Sequence, residues 1–208
     1  MSTNRIYLVH GFNVSDGGAG SIGRLAEPLQ EAGLKTHPLR YGWWGLLMSR
    51  FGNMGLSQAI GDMMDEGDAF VAHSNGCDLV RRLSWMDVPP FSAVLINPAL
   101  DRDTDFGPRL NQALVMYNRC DWAVWLARWL IMHPWGAMGR KGYKGNDPRI
   151  DNLDCWPMAK GHSGVFRRPE YWSKIIVGYL HPQASGKNSP MPQRTNQNPI
   201  CRPVQDSS

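Results

Sequence analysis

The sequence predicts an α/β fold, with about six mainly parallel strands flanked by helices. Two observations carry this expectation. Short apolar runs of four or five residues recur along the chain, as expected for strands covered on both faces. Between them, apolar residues return at spacings of three and four, the period of a helix with one buried face. With 208 residues, 42% of them hydrophobic, the chain is long enough for one domain with a sizeable core.

The elements follow in order. Ile6-Tyr7-Leu8-Val9 reads as the first strand. Ile22, Leu25, Leu29 and Ala32 then mark one helix face, which Gly33 stops. Lys35 to Tyr41 is a weaker strand, and Leu56 to Met64 a second helical pattern. Asp68 to His73 contains the apolar run Ala69-Phe70-Val71-Ala72, a third strand, and Cys77 to Trp85 reads as the helix after it. Pro89-Pro90 breaks the chain before a fourth strand, Ala93 to Ile96. Ala113 to Tyr117 is the fifth strand and Arg149 to Asp154 a short sixth. Tyr171, Trp172, Ile175, Ile176, Tyr179 and Leu180 form the apolar face of a closing helix. The domain is expected to span residues 1–182. Residues 183–208, rich in Pro, Ser, Asn and Gln, cannot bury enough apolar surface to offset their ordering entropy and read as a flexible polar tail.

Composition narrows the function. A net charge of +4 is mild, and only Arg140, Lys141, Lys144 and Arg149 cluster. A nucleic-acid binder would show a denser basic stripe with interleaved aromatics, so no nucleic-acid partner is expected. No run of 18 apolar residues exists, so no spanning helix is expected. The N-terminal residues lead directly into the first strand, with no room for a secretory signal, which makes a cytoplasmic location the expectation. Cys77, Cys120, Cys155 and Cys201 form no C-x-x-C pair and read as free thiols in such a compartment.

Ligands of parallel sheets bind beyond the carboxyl ends of the strands, so chemistry is sought there. After the third strand stands Ala72-His73-Ser74-Asn75-Gly76, a G-x-S-x-G elbow with alanine for the first glycine. A serine between strand and helix projects its Oγ above the sheet, and small residues two before and two after prevent backbone collision. A helix-capping serine is the plainer alternative. The first strand ends in His10-Gly11-Phe12, a loop able to turn a backbone N–H toward the serine. The N–H groups of Phe12 and Asn75 would form an oxyanion hole. A nucleophilic serine needs a base and an orienting carboxylate. Asp121 follows the fifth strand, and His162 lies before the last helix. The rival acids are Asp101, Asp103 and Asp105 after the fourth strand.

These residues together resemble the α/β-hydrolase family, in particular its small lipase and esterase members. The resemblance rests on His10-Gly11-Phe12, the Ser74 elbow, Asp121 and His162, and covers most of residues 5–181. It implies a minimal α/β-hydrolase fold that lacks the usual first two strands. It also implies a Ser74-Asp121-His162 triad and no metal or organic cofactor. The expected substrate is a small-molecule carboxylic ester cleaved through an acyl-enzyme. Thioester or amide hydrolysis with the same triad is the alternative, and so is a catalytically silent scaffold that binds through its tryptophan-rich rim. Trp43 and Trp44, with Trp125 and Trp129 one helical turn apart, are expected to line an apolar substrate pocket, although a buried core helix would show the same pattern. Apolar and basic residues would also allow a weak contact with a membrane surface.

Overall fold

A computed structural model describes residues 5–11, 15–41, 46–121 and 136–181, without the side chains of 46–52. Within them six strands form one sheet: β1 (Arg5–Val9), β2 (Lys35–Leu39), β3 (Ala69–His73), β4 (Phe91–Ile96), β5 (Leu110–Tyr117) and β6 (Ile150–Asp154). Their spatial order is β2-β1-β3-β4-β5-β6, and every pair is parallel. The helices are α1 (Ala26–Glu31), α2 (Leu46–Gly61), α3 (Gly76–Leu83), a single turn α4 (Met138–Lys141) and α5 (Pro169–Leu180).

The alternation of side chains along each strand divides the core in two. Tyr7, Val9, Phe70, Ala72, Ala93 and Leu95 face one layer, where Cys77, Leu79, Val80 and Leu83 of α3 and Ile60 of α2 pack against them. Ile6, Leu8, Val71, Val94, Ile96 and Met116 face the other, against Leu29 of α1 and Trp172 and Ile176 of α5. Burial on both faces explains why β1, β3 and β4 read as unbroken apolar runs.

The elements agree with the sequence reading in type and differ at their ends. The first helix opens with a 3-10 turn at Ile22–Leu25, and α2 begins ten residues before the periodic stretch at Leu56. Strand β5 starts at Leu110, because pairing with β4 extends it past the apolar run through Asn111 and Gln112. Helix α4, too short to show a period, was not expected. Residues 183–208, read as a polar tail, lie outside the described residues.

The register sets up one functional rim. Val9, Ala72, Leu95, Val115 and Asn152 form a single row across the sheet. The residues just past that row therefore share an edge: His10-Gly11, His73-Ser74, Asn97, Asn118 and the turn reaching Asp121. The chain order reverses at β1, which has β2 on one side and β3 on the other. Such a switch point opens a crevice at the carboxyl ends of the flanking strands, here β1 and β3.

Candidate active site

Ser74 occupies the turn between β3 and α3 with φ of 55°, a left-handed conformation that a non-glycine residue rarely adopts. The surrounding hydrogen bonds hold it there. Its N–H donates to the Ile96 carbonyl at 3.0 Å, and its own carbonyl accepts from Cys77 N at 3.1 Å and Ala99 N at 3.2 Å. A residue forced into a sparse region by its neighbours is a common mark of a functional turn. Ser74 keeps 9% of its surface exposed at the rim. Helix α3 starts two residues later and aims its N-terminal end, the positive end of its dipole, at this turn.

Small residues fit the elbow for a steric reason. A Cβ on Gly11 would stand 2.9 Å from Ser74 Cβ, so the loop after β1 passes directly over the serine. Ala72 is wholly buried in β3. The Gly11 loop is fixed at its start by His10 and Tyr41. The Tyr41 hydroxyl donates to the His10 carbonyl, and the two rings stack with centroids 3.9 Å apart. Burial pushes the Tyr41 phenol well up, which keeps it a donor.

Asp121 and His162 meet. His162 Nδ1 lies 2.7 Å from Asp121 Oδ2, with the aspartate side chain fully buried and the imidazole 21% exposed. A carboxylate only accepts, so Nδ1 carries the proton and Nε2 is left as the basic nitrogen. No hydrogen bond joins Ser74 Oγ to His162 among the described residues. Asp101, Asp103 and Asp105 are exposed, and Asp103 pairs with Lys144 at 3.2 Å.

Buried amides organise the loops that carry these groups. Asn118 Nδ2 donates to the carbonyls of Ala159 at 2.6 Å and Gly161 at 3.1 Å, while its Oδ1 accepts from Cys120 N at 2.9 Å. The Asn118 carbonyl accepts from Asp121 N at 2.9 Å. One side chain thus ties the turn bearing Asp121 to the loop bearing His162. Asn97 Nδ2 donates to the His162 carbonyl at 2.5 Å, and His73 Nε2 lies 3.2 Å from the same oxygen. Burial, with His162 and His10 nearby, drives the His73 imidazole down to about 3. Sequence reasoning did not single out Tyr41, His73, Asn97 or Asn118 as parts of a site. The only signal was that each stands at or just past the end of a strand.

Of the oxyanion-hole pair, Asn75 lies at the start of α3, and Phe12 falls outside the described residues. Trp43, Trp44, Trp125 and Trp129 also lie outside them. Three of the four clustered basic residues, Arg140, Lys144 and Arg149, are engaged within the chain. Arg149 pairs with Asp147 at 2.6 Å and donates to the carbonyls of Phe106, Gly107 and Leu110. Arg140 donates to the Arg119 carbonyl. Cys77 and Cys155 are buried free thiols, but Cys120 is disulfide-bonded, contrary to the free-thiol reading; its partner lies outside the described residues. Spacing alone could not show that pairing, because it is made by tertiary proximity. Among the described residues, no group of three His, Cys, Asp or Glu could hold a metal, and no helix is long and apolar enough to cross a membrane.

No family model and no curated protein sequence matches the chain. Solved structures do. A protein of Xanthomonas campestris named for the α/β-hydrolase superfamily matches at a TM-score of 0.55 and 17% identity, over 86% of this chain and 99% of that one. An extracellular α/β-hydrolase from a Paenibacillus species matches at 0.56 and 11%, over 84% and 98%. The esterase domain of a Rhodothermus marinus protein matches at 0.53 and 12%, over 85% and 86%. At these identities the likeness establishes the α/β-hydrolase fold, with six parallel strands among the described residues.

Proposed function

We propose that this α/β-hydrolase fold serves a serine hydrolase that cleaves carboxylic esters of small molecules, with Ser74 as nucleophile, His162 as base and Asp121 as the orienting acid. The observation that carries the reading is the 2.7 Å bond between His162 Nδ1 and the buried Asp121 carboxylate, on the same rim as a serine held at φ 55°. The esterase names among the similar folds support the same class.

In this reading Ser74 Oγ attacks the ester carbonyl carbon as its proton passes to His162 Nε2. Negative charge gathers on the carbonyl oxygen, where the N–H groups of Asn75 and Phe12 receive it, assisted by the N-terminus of α3. The buried Asp121 carboxylate stabilises the imidazolium that forms. Collapse breaks the ester C–O bond, and His162 gives its proton to the departing alkoxide. Water, deprotonated by His162, then attacks the acyl-enzyme, and the acid leaves with Ser74 restored. No step calls on a metal or organic cofactor. Trp43, Trp44, Trp125 and Trp129 are assigned to the acyl pocket. The cytoplasm is carried as the compartment in this reading. Cell fractionation would test that compartment.

The test is covalent labelling. A fluorophosphonate should attach at Ser74, and nitrophenyl esters of graded chain length should be hydrolysed. Absence of both would leave a silent scaffold. Preference for thioesters or amides over esters would move the activity to those substrates without changing the triad.

A further inference from the structure

The His162 carbonyl oxygen is the meeting point of two buried side chains from different strands. Asn97 follows β4 and reaches it at 2.5 Å; His73 ends β3 and reaches it at 3.2 Å. We propose that His73 and Asn97 are positioning residues that clamp the backbone of His162, so that its imidazole is held between Asp121 and Ser74. The proposal rests on the assignment of His162 as the base.

The loop needs such a clamp. Gly161, just before His162, sits at φ 75° with open space where a Cβ would be, so no side chain restrains that residue and the loop there is held through its carbonyl, which accepts from Asn118 Nδ2 and Gly164 N. The hydrogen bond to Asp121 fixes only one ring nitrogen and leaves the ring free to swing about it. Holding the carbonyl as well fixes the backbone from which the ring springs. Packing adds a wall, for the His73 ring lies 4.6 Å from the His162 ring and meets Phe166 edge-on at 4.9 Å.

The donors are costly to place. A carbonyl only accepts, so His73 carries its proton on Nε2 and its Nδ1 is a bare acceptor. Among the described residues, neither that Nδ1 nor Asn97 Oδ1, both buried, has a hydrogen-bond partner. Apolar side chains would avoid leaving such atoms unsatisfied, so stability alone does not account for the two residues. Asn97 also takes φ of 44°, a conformation asparagine tolerates better than most residues. Burial holds His73 neutral across the working pH range, so this arm of the clamp keeps one protonation state while His162 changes its own.

The test compares His73→Phe, His73→Gln, Asn97→Gly and the double variant His73→Phe/Asn97→Gly on a nitrophenyl ester, beside Ser74→Ala and His162→Ala. His73→Phe keeps the ring and loses the donor. Asn97→Gly loses the donor while accepting the positive φ; Asn97→Asp, isosteric and without the N–H, replaces it if the glycine variant does not fold. We expect His73→Phe and Asn97→Gly each to lower kcat roughly 10- to 100-fold with KM little changed, because small misplacement of a catalytic group is enough for such losses. His73→Gln, whose amide can place an N–H near the Nε2 position, should recover a large share. The double variant should lose less than the product of the two single losses, since both donors hold one oxygen. The downfield proton resonance of the His162–Asp121 hydrogen bond should broaden in the defective variants. If they keep wild-type kcat, or change KM alone, the clamp is wrong. If Ser74→Ala and His162→Ala remain active, the functional reading itself has failed.

Discussion

Gly76 and His10 meet where α3 begins under the end of β1: a Cβ on Gly76 would stand 2.5 Å from the His10 carbonyl oxygen and 2.9 Å from that of Val9. Both obstacles are backbone, at the end of β1 and just past it, which cannot swing aside as a side chain can. Gly76→Ala should therefore destabilise the fold by about 2–3 kcal/mol, in the range of overpacked cores. Urea unfolding would read this as a lower midpoint with an unchanged slope. A midpoint equal to wild type would show that β1 and α3 can part without cost.

Ser74 holds φ of 55°, a conformation that strains a residue with a Cβ. Glycine takes that conformation without strain, so Ser74→Gly should melt higher than Ser74→Ala, by about 1 kcal/mol of stability. On the proposed triad both should lose hydrolysis by roughly a thousand-fold or more, because a nucleophile, base and acid act as a unit. Equal melting temperatures would show that the turn is not strained. Substantial turnover by either variant would remove Ser74 from the nucleophile's role.

The strands were legible because β1, β3 and β4 are buried on both faces and so appear as unbroken apolar runs. The rim could be read too, since the order of elements places Ser74, Asp121 and His162 past strand ends. Hidden from the sequence was what depends on distant contacts. Asn97 and Asn118 look like ordinary loop polar residues until β4 and β5 bring them beside the loop bearing His162. His73 looks like the variable position of an elbow, because nothing local reveals the carbonyl it faces. The same holds for the bond at Cys120, which no spacing announces.

The neutral burial of His73 has a consequence for acid stability. Its pKa is about 3 in the fold against an ordinary value of 6.5. Between those values the unfolded chain binds a proton that the folded chain refuses, so unfolding gains as pH falls. The stability from this residue is fully present above about 6.5, declines as pH drops below that, and is gone near 3. The amount is on the order of a few kcal/mol. His73→Gln, which cannot titrate, should show a flatter fall of melting temperature with acid than wild type. Parallel curves would mean that His73 accepts a proton in the folded state without penalty.

Asp121 and Asp101 offer the sharpest contrast between placement and residue type. Both follow strands on the same rim, yet Asp121 is buried against His162 Nδ1, while Asp101 is exposed. An exposed carboxylate is hydrated and screened, and could orient a distant imidazole only weakly. Asp121→Asn keeps the shape but presents a neutral amide. Its carbonyl oxygen can still accept from Nδ1, but without the charge that stabilises the imidazolium; its amide group, turned the other way, would force the proton onto Nε2 and abolish the base. Turnover should fall roughly 10⁴-fold, the scale of that exchange in a serine triad, while Asp101→Asn should stay within about two-fold of wild type. The comparison is made by kcat on a single nitrophenyl ester, with melting temperatures to confirm that both variants are folded. The reverse pattern, an active Asp121→Asn and a silent Asp101→Asn, would move the orienting acid to the loop after β4 and leave the His162–Asp121 bond a structural one.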